Sequence, residues 1–200
     1  MNEKFFELKK EKQDRMINAA IKVFAINGYA HASTDEIVKE AEISKGLLFH
    51  YFGSKIGLFS FVYDYSVRYI CLELTGAVDK SDNDYFSLHI QLKRGEANAL
   101  RAYPFMIAFL DRAAKENVVE VMMQIDEKKD TISNLKKEYF KHANSSSFKA
   151  DVSPNMVDEI IEYTSQAVMD ETLRVMPEMT EEYFKRMKDY LILLRRMSYK

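Results

Sequence analysis

Residues 33–55 read Ser33-Thr34-Asp35-Glu36-Ile37-Val38-Lys39-Glu40-Ala41-Glu42-Ile43-Ser44-Lys45-Gly46-Leu47-Leu48-Phe49-His50-Tyr51-Phe52-Gly53-Ser54-Lys55. Ser33-Thr34 offers a helix N-cap, Asp35 and Glu36 put negative charge in the first turn, and Ile37, Val38 and Ala41 give a short apolar face. Ser44 then caps a second short helix in which Leu48 and Phe52, four residues apart, share one face. Gly53-Ser54 stops it. Two short helices, Thr34 to Glu42 and Lys45 to Phe52, joined by a tight turn have the spacing of a helix-turn-helix. In that motif the first helix crosses the nucleic-acid backbone and the second enters the major groove. Ile37, Leu48 and Phe52 are assigned to the core.

On the N-terminal side, Ile17, Ala20, Ile21 and Phe24 form one stripe of an amphipathic helix that braces the pair, and Asn27-Gly28 is expected to end it. On the C-terminal side a long apolar helix starts near Lys55. Later breaks fall at Asp79 to Asp84, Tyr103-Pro104, Asn144 to Ser147, Ser153-Pro154 and Met176-Pro177, with Pro104 and Pro154 suited to first helical positions. Only six Gly and three Pro in 200 residues, 47% of them apolar, leave few places for a helix to break and supply ample core. No alternating β-branched run with Asn-Gly or Asp-Gly turns predicts hairpins. The class is therefore all-α: an N-terminal three-helix domain over residues 1–54 and a larger helical domain over 55–200.

Composition excludes several functions. No uncharged apolar stretch is long enough to span a bilayer, and the N-terminus lacks a secretory h-region, so no membrane partner and a cytoplasmic location are expected. One cysteine, Cys71, excludes an internal disulfide and a Cys-based zinc cage. His31, His50, His89 and His142 are scattered without metal-ligand spacing, and no nucleophile elbow, P-loop or dinucleotide fingerprint occurs, so neither enzyme activity, nor a cofactor, nor a metal is expected. Overall charge is near balance at −2. Locally, however, residues 43–63 contain no Asp or Glu while Lys45, His50 and Lys55 remain, a surface suited to phosphates.

Taken in register, the small residue and Thr34, Ile37, Ala41, the run Ile43-Ser44-Lys45-Gly46, Leu48, the run His50-Tyr51-Phe52 and Lys55 resemble the N-terminal signature of the TetR family of transcriptional regulators. The resemblance covers about residues 10–60. It implies a double-stranded DNA operator as partner, with Thr34 at a phosphate, Ser44 capping the reading helix, Lys45 and Gly46 near base edges, Tyr51 and Lys55 on phosphates, and His50 on either. Leu47 and Phe49 depart from the usual small polar residue and tyrosine, and both suit thymine methyl groups. It further implies a fold of about nine helices in total, a homodimer formed mainly by the last two helices on a near-palindromic operator, and a ligand pocket in the C-terminal part.

For the dimer, Val157, Ile160, Ile161, Thr164 and Val168 on one helix and Phe184, Met187, Leu191 and Leu194 on the last recur at helical spacing. Tyr183, Tyr190 and Met197 widen the latter surface. Packing within the chain would produce the same pattern, and the resemblance decides for the dimer. For the pocket, Phe61, Tyr65, His89, Phe105, Met106, Phe109, Tyr163 and Gln166 are the candidates to meet a small apolar or amphipathic effector, although aromatic and Met side chains equally fill cores. The expected function is a ligand-responsive regulator, a repressor released by its effector. The alternative is an all-helical interaction adaptor without sequence-specific DNA binding.

Overall fold

The computed structural model describes residues 3–173 and 179–200. Among the described residues a 3-10 turn at Glu3–Glu7 precedes ten α-helices: α1 Lys10–His31, α2 Thr34–Glu40, α3 Lys45–Phe52, α4 Lys55–Ala77, α5 Tyr85–Ala102, α6 Met106–Ala114, α7 Val119–Ile125, α8 Thr131–Phe140, α9 Pro154–Leu173 and α10 Thr180–Ser198. Among the described residues no strand occurs, and no helix is long and apolar enough to cross a membrane. The break expected at Met176-Pro177 lies outside the described residues. Chain contacts divide the protein into two compact units, Met1–Tyr69 with Phe105–Thr131, and Ile70–Pro104 with Ile132–Lys200. The unit that contains α2 and α3 thus also takes in α6 and α7.

In the first unit the stripe Met16, Ile17, Ala20, Ile21 and Phe24 is fully buried. Phe24, Phe59 and Phe109 interlock there, with centroids 5.1 Å apart for Phe24–Phe59 and 5.3 Å for Phe59–Phe109. Edge-to-face packing of this kind adds to simple apolar burial. Gly28 breaks α1 as its sequence indicates, with φ at 71° in the left-handed region. The helix nonetheless resumes for a further turn to His31, because Tyr29 packs on Phe24 and Phe59 and its backbone N–H is taken by the Glu116 carboxylate at 2.7 Å.

In the second unit α10 lies against α5 and α9 over a core of Phe86, Phe148, Val157, Ile161 and Leu191. Gly95 lets α5 approach α4 closely, since a Cβ there would stand 2.9 Å from the Glu73 carbonyl. Pro154 is the first residue of α9, but Pro104 lies before α6, whose N-cap is Phe105.

Within the single chain, most residues expected at the dimer face are turned inward. Val157, Ile161, Val168, Phe184, Met187 and Leu191 are buried within their own unit, Thr164 and Leu194 are half-buried, and Ile160 is exposed. The helical period in the sequence is real, but its strongest phase marks the face that each helix turns to its own core. A different set remains at the surface: Met156, Ile160 and Tyr163 on α9, and Tyr190, Leu193 and Met197 on α10.

Candidate nucleic-acid interface

Each helix of the pair is started by a serine. The Ser33 Oγ accepts from the Asp35 N–H at 3.2 Å, and the Ser44 Oγ accepts from the Leu47 N–H at 3.2 Å, so each cap satisfies a backbone donor that the first turn leaves open. Between the helices Glu42 takes a left-handed conformation, φ 53°, which makes the turn tight. Ile37 and Leu48 are fully buried and lock the two helices onto the bundle.

Acids on α2 and its turn are engaged by basic or amide groups on α1. Arg15 pairs with Glu42 at 3.1 Å, Lys22 with Glu40 at 2.6 Å, and the Asn27 amide donates to Glu36 at 3.0 Å. These exposed contacts contribute little to stability individually. Their consequence is electrostatic, because they offset the acids of the segment that precedes α3. Lys45 is held by Asp35 at 2.8 Å in the free protein.

The outer edge of α3 consists of the exposed Ser44, Lys45, Gly46 and His50 and the half-buried Leu47 and Phe49. At Gly46 a Cβ would meet nothing within 4 Å. The chain itself therefore gives no steric reason for glycine in this helix, where it is less favourable than alanine by roughly 1 kcal/mol. Thr34 is half-buried beside the Ser33 cap. Tyr51 is nine-tenths buried, its ring edge-on to Phe5 at 5.7 Å and to His50 at 5.1 Å. Lys55 sits over the Tyr29 ring at 4.6 Å and donates to the Ala30 carbonyl at 3.4 Å, and burial lowers its pKa.

Two supports of α3 are absent from the sequence reading. Phe5, in the N-terminal 3-10 turn, is fully buried against Tyr51, Phe52 and Phe61, with centroids 5.7, 5.2 and 5.1 Å away. Its signal was the pair Phe5-Phe6 standing in an otherwise charged segment. Gly57 is the second: a Cβ at that position would lie 2.1 Å from the Phe52 carbonyl oxygen, so α4 begins in direct backbone contact with the end of α3.

Residues 16–61 match the family described as bacterial regulatory proteins, tetR family. That stretch carries the N-terminal domain of the TetR family. A 59-residue stretch is 45% identical to the uncharacterized HTH-type transcriptional regulator YuxN of Bacillus subtilis, over 28% of this chain; it spans only 20% of the length of that relative. Across the whole length, the fold is similar to a TetR family transcriptional regulator from Chloroflexus aurantiacus, with a TM-score of 0.66 at 18% identity, covering 100% of this chain and 98% of that one. It is also similar to PfmR from Thermus thermophilus, with a TM-score of 0.60 at 16% identity, covering 91% and 97%. At such identities the likeness is one of fold.

The eight residues expected to line an effector pocket are divided between the two units, Phe61, Tyr65, Phe105, Met106 and Phe109 in the first and His89, Tyr163 and Gln166 in the second. Phe61 and Tyr65 line a cavity of about 350 Å³ in the first unit, beside Phe6 and Phe52. Met106 and Phe109 are fully buried, the latter in the ring cluster around Phe59, and Phe105 is half-buried at the start of α6. Tyr163 and Gln166 are exposed on α9. His89 alone of the set lines a second cavity, of about 540 Å³, in the second unit. The first unit uses Met106 and Phe109 to fill its own core, whereas the cavity of the second unit is built around charges.

That cavity is walled by α5, α8 and α9. Tyr85, His89 and Phe140 form its aromatic side, with centroids 4.7 Å apart for Tyr85–His89 and 4.5 Å for His89–Phe140. The Tyr85 hydroxyl donates to Asp158, and His89 Nε2 lies 3.1 Å from the same carboxylate. Deeper in, the buried Glu96 carboxylate accepts from Lys136 at 2.7 Å, from Lys93 at 2.8 Å and from the Tyr183 hydroxyl at 3.0 Å.

Proposed function

We propose that this chain regulates transcription by binding a near-palindromic duplex as a homodimer, as a repressor that a small effector releases. Residues 1–54 form the reading head, and 55–200 serve effector binding and dimerisation. The observation that carries it is the edge Ser44-Lys45-Gly46-Leu47: exposed or half-buried, free of acids, and containing a glycine whose missing side chain leaves space toward the outside. A helix edge without a Cβ at this point lets the backbone come close to base edges, and Lys45 can exchange Asp35 for a phosphate or base.

Selection of bound sequences from random duplex DNA supplies the operator, and Gly46→Ala then tests the edge. The substitution is expected to leave the protein as stable or up to about 1 kcal/mol more so, measured by thermal unfolding. Operator affinity is expected to fall about ten-fold or more, because the new methyl group meets the DNA. A Gly46→Ala protein that binds the operator as tightly as the parent removes α3 from the groove. Enrichment of no sequence at all favours an interaction adaptor instead.

Support for the dimer comes from the apolar residues left in water: Met156, Ile160 and Tyr163 at spacings of four and three on α9, and Tyr190, Leu193 and Met197 at three and four on α10. Contiguous exposed apolar stripes of this kind mark association surfaces. In sedimentation at micromolar concentration the parent chain is expected as a dimer and the double variant Tyr163→Asp, Leu193→Asp as a folded monomer. Identical sedimentation of the two proteins would contradict this interface.

A further inference from the structure

We infer that the α5–α8–α9 cavity takes a small organic anion, a carboxylate on a flat apolar body, with Lys136 and Lys93 receiving the carboxylate. This deepens the proposed function by naming the effector class, and it rests on the reading that the second unit holds the effector site.

Depth decides the sign of the ligand. Along the whole lining, lysines and acids are equally represented, but Asp158, Glu159 and Glu162 lie on exposed positions of α9, where solvent and salt screen them. At the inner end two ammonium groups, Lys93 and Lys136, share one carboxylate, Glu96. The side chains of Lys93 and Glu96 are each 6% exposed and that of Lys136 is 32% exposed. One positive charge is thus in surplus where water screens least, and uncompensated buried charge is costly.

The donors point to the same class. An ammonium has three N–H groups. Among the described residues Lys93 donates to Glu96 and to the Ser165 hydroxyl at 2.8 Å, and Lys136 donates to Glu96. Both retain capacity for an incoming carboxylate, which forms stronger hydrogen bonds with ammonium groups than a neutral acceptor does. Beside them Tyr85, His89 and Phe140 present ring faces and edges, with Leu92 and Ile161 completing an apolar wall for a flat body. At about 540 Å³ the cavity has the size of small-molecule sites. The network continues from Glu96 through the Tyr183 hydroxyl to α10, so a ligand that engages Lys136 also touches the contacts that hold the last helix.

The test uses the full chain and four probes, benzoate, phenylacetate, 3-phenylpropionate and 4-phenylbutyrate, each against its primary amide and the corresponding amine, by titration calorimetry. At least one carboxylate is expected to bind about ten-fold or more tightly than both analogues, the margin of one charge-assisted hydrogen bond. Lys136→Met is expected to abolish that preference while the protein keeps its cooperative thermal transition. An amide or amine that binds as tightly as its carboxylate, no carboxylate binding across the panel, or a preference that survives in Lys136→Met overturns the inference. Operator affinity of the unliganded protein is measured in the same preparation. Loss of DNA binding there strikes the proposed function and leaves the anion result standing, and the reverse holds equally.

Discussion

Phe5→Ala is expected to destabilise the protein by about 3–5 kcal/mol, the range for truncating a fully buried aromatic side chain. Phe5 is 0% exposed although it lies in a five-residue 3-10 turn next to the N-terminus. Its ring touches Tyr51 and Phe52 of α3 and Phe61 of α4, so its removal opens a void between those two helices. The loss should be local before it is global. Amides of residues 48–52 are expected to exchange with deuterium much faster in the variant, at a temperature where α1 and α10 stay protected. Operator affinity should fall in parallel, because a loosened α3 must be ordered again on binding. A variant with the parent's unfolding temperature and unchanged exchange at α3 would show that the N-terminal turn is not part of the reading head.

Glu96→Gln is expected to cost about 3–5 kcal/mol, since removing one partner of a buried ionic cluster leaves the others without compensation. Lys93, Lys136 and the Tyr183 hydroxyl all converge on this carboxylate. Burial alone would raise its pKa, but the charges of Lys136 and Lys93 and their hydrogen bonds outweigh burial and hold it well below the usual carboxylate range. The pH dependence follows with a definite sign. In the unfolded chain Glu96 takes up a proton near pH 4.3, the ordinary value, while in the folded protein it stays ionised to much lower pH. Its stabilisation is therefore complete above the unfolded pKa and is lost as pH falls below it toward the folded value, at up to about 1.4 kcal/mol per pH unit. Denaturant unfolding at a series of pH values should show the gap between parent and Glu96→Gln narrowing below about pH 4. A gap that is constant from neutral pH to pH 3 would mean that Glu96 is not the ionised centre of the cluster.

How much of this was legible in the sequence depends on the range over which each signal acts. Ser33 and Ser44 cap the helices they were expected to cap, and α3 spans Lys45–Phe52 as read, because caps and a Gly53 stop act within a few residues. The phase of α9 and α10 was not legible. Each carries apolar residues on more than one side, and a period of three and four does not say which side meets its own core. Val157 and Leu191 went inward and Met156 and Leu193 stayed outside for reasons that only the packing of α10 against α5 and α9 supplies. The charged cavity was hidden by distance along the chain, since Glu96 meets partners 40 and 87 residues away. One local signal was available: Lys93 and Glu96 stand on the same face of α5 as Tyr85, His89, Leu92 and Leu100, and charges set into an apolar stripe need partners.

The contact at Gly57 has a mechanical meaning. With the Phe52 carbonyl seated against a residue that has no room for even a methyl group, the elbow between the short capped rod and the shaft that follows it is without slack. A larger residue at the joint would force the two apart and reset the angle between rod and shaft.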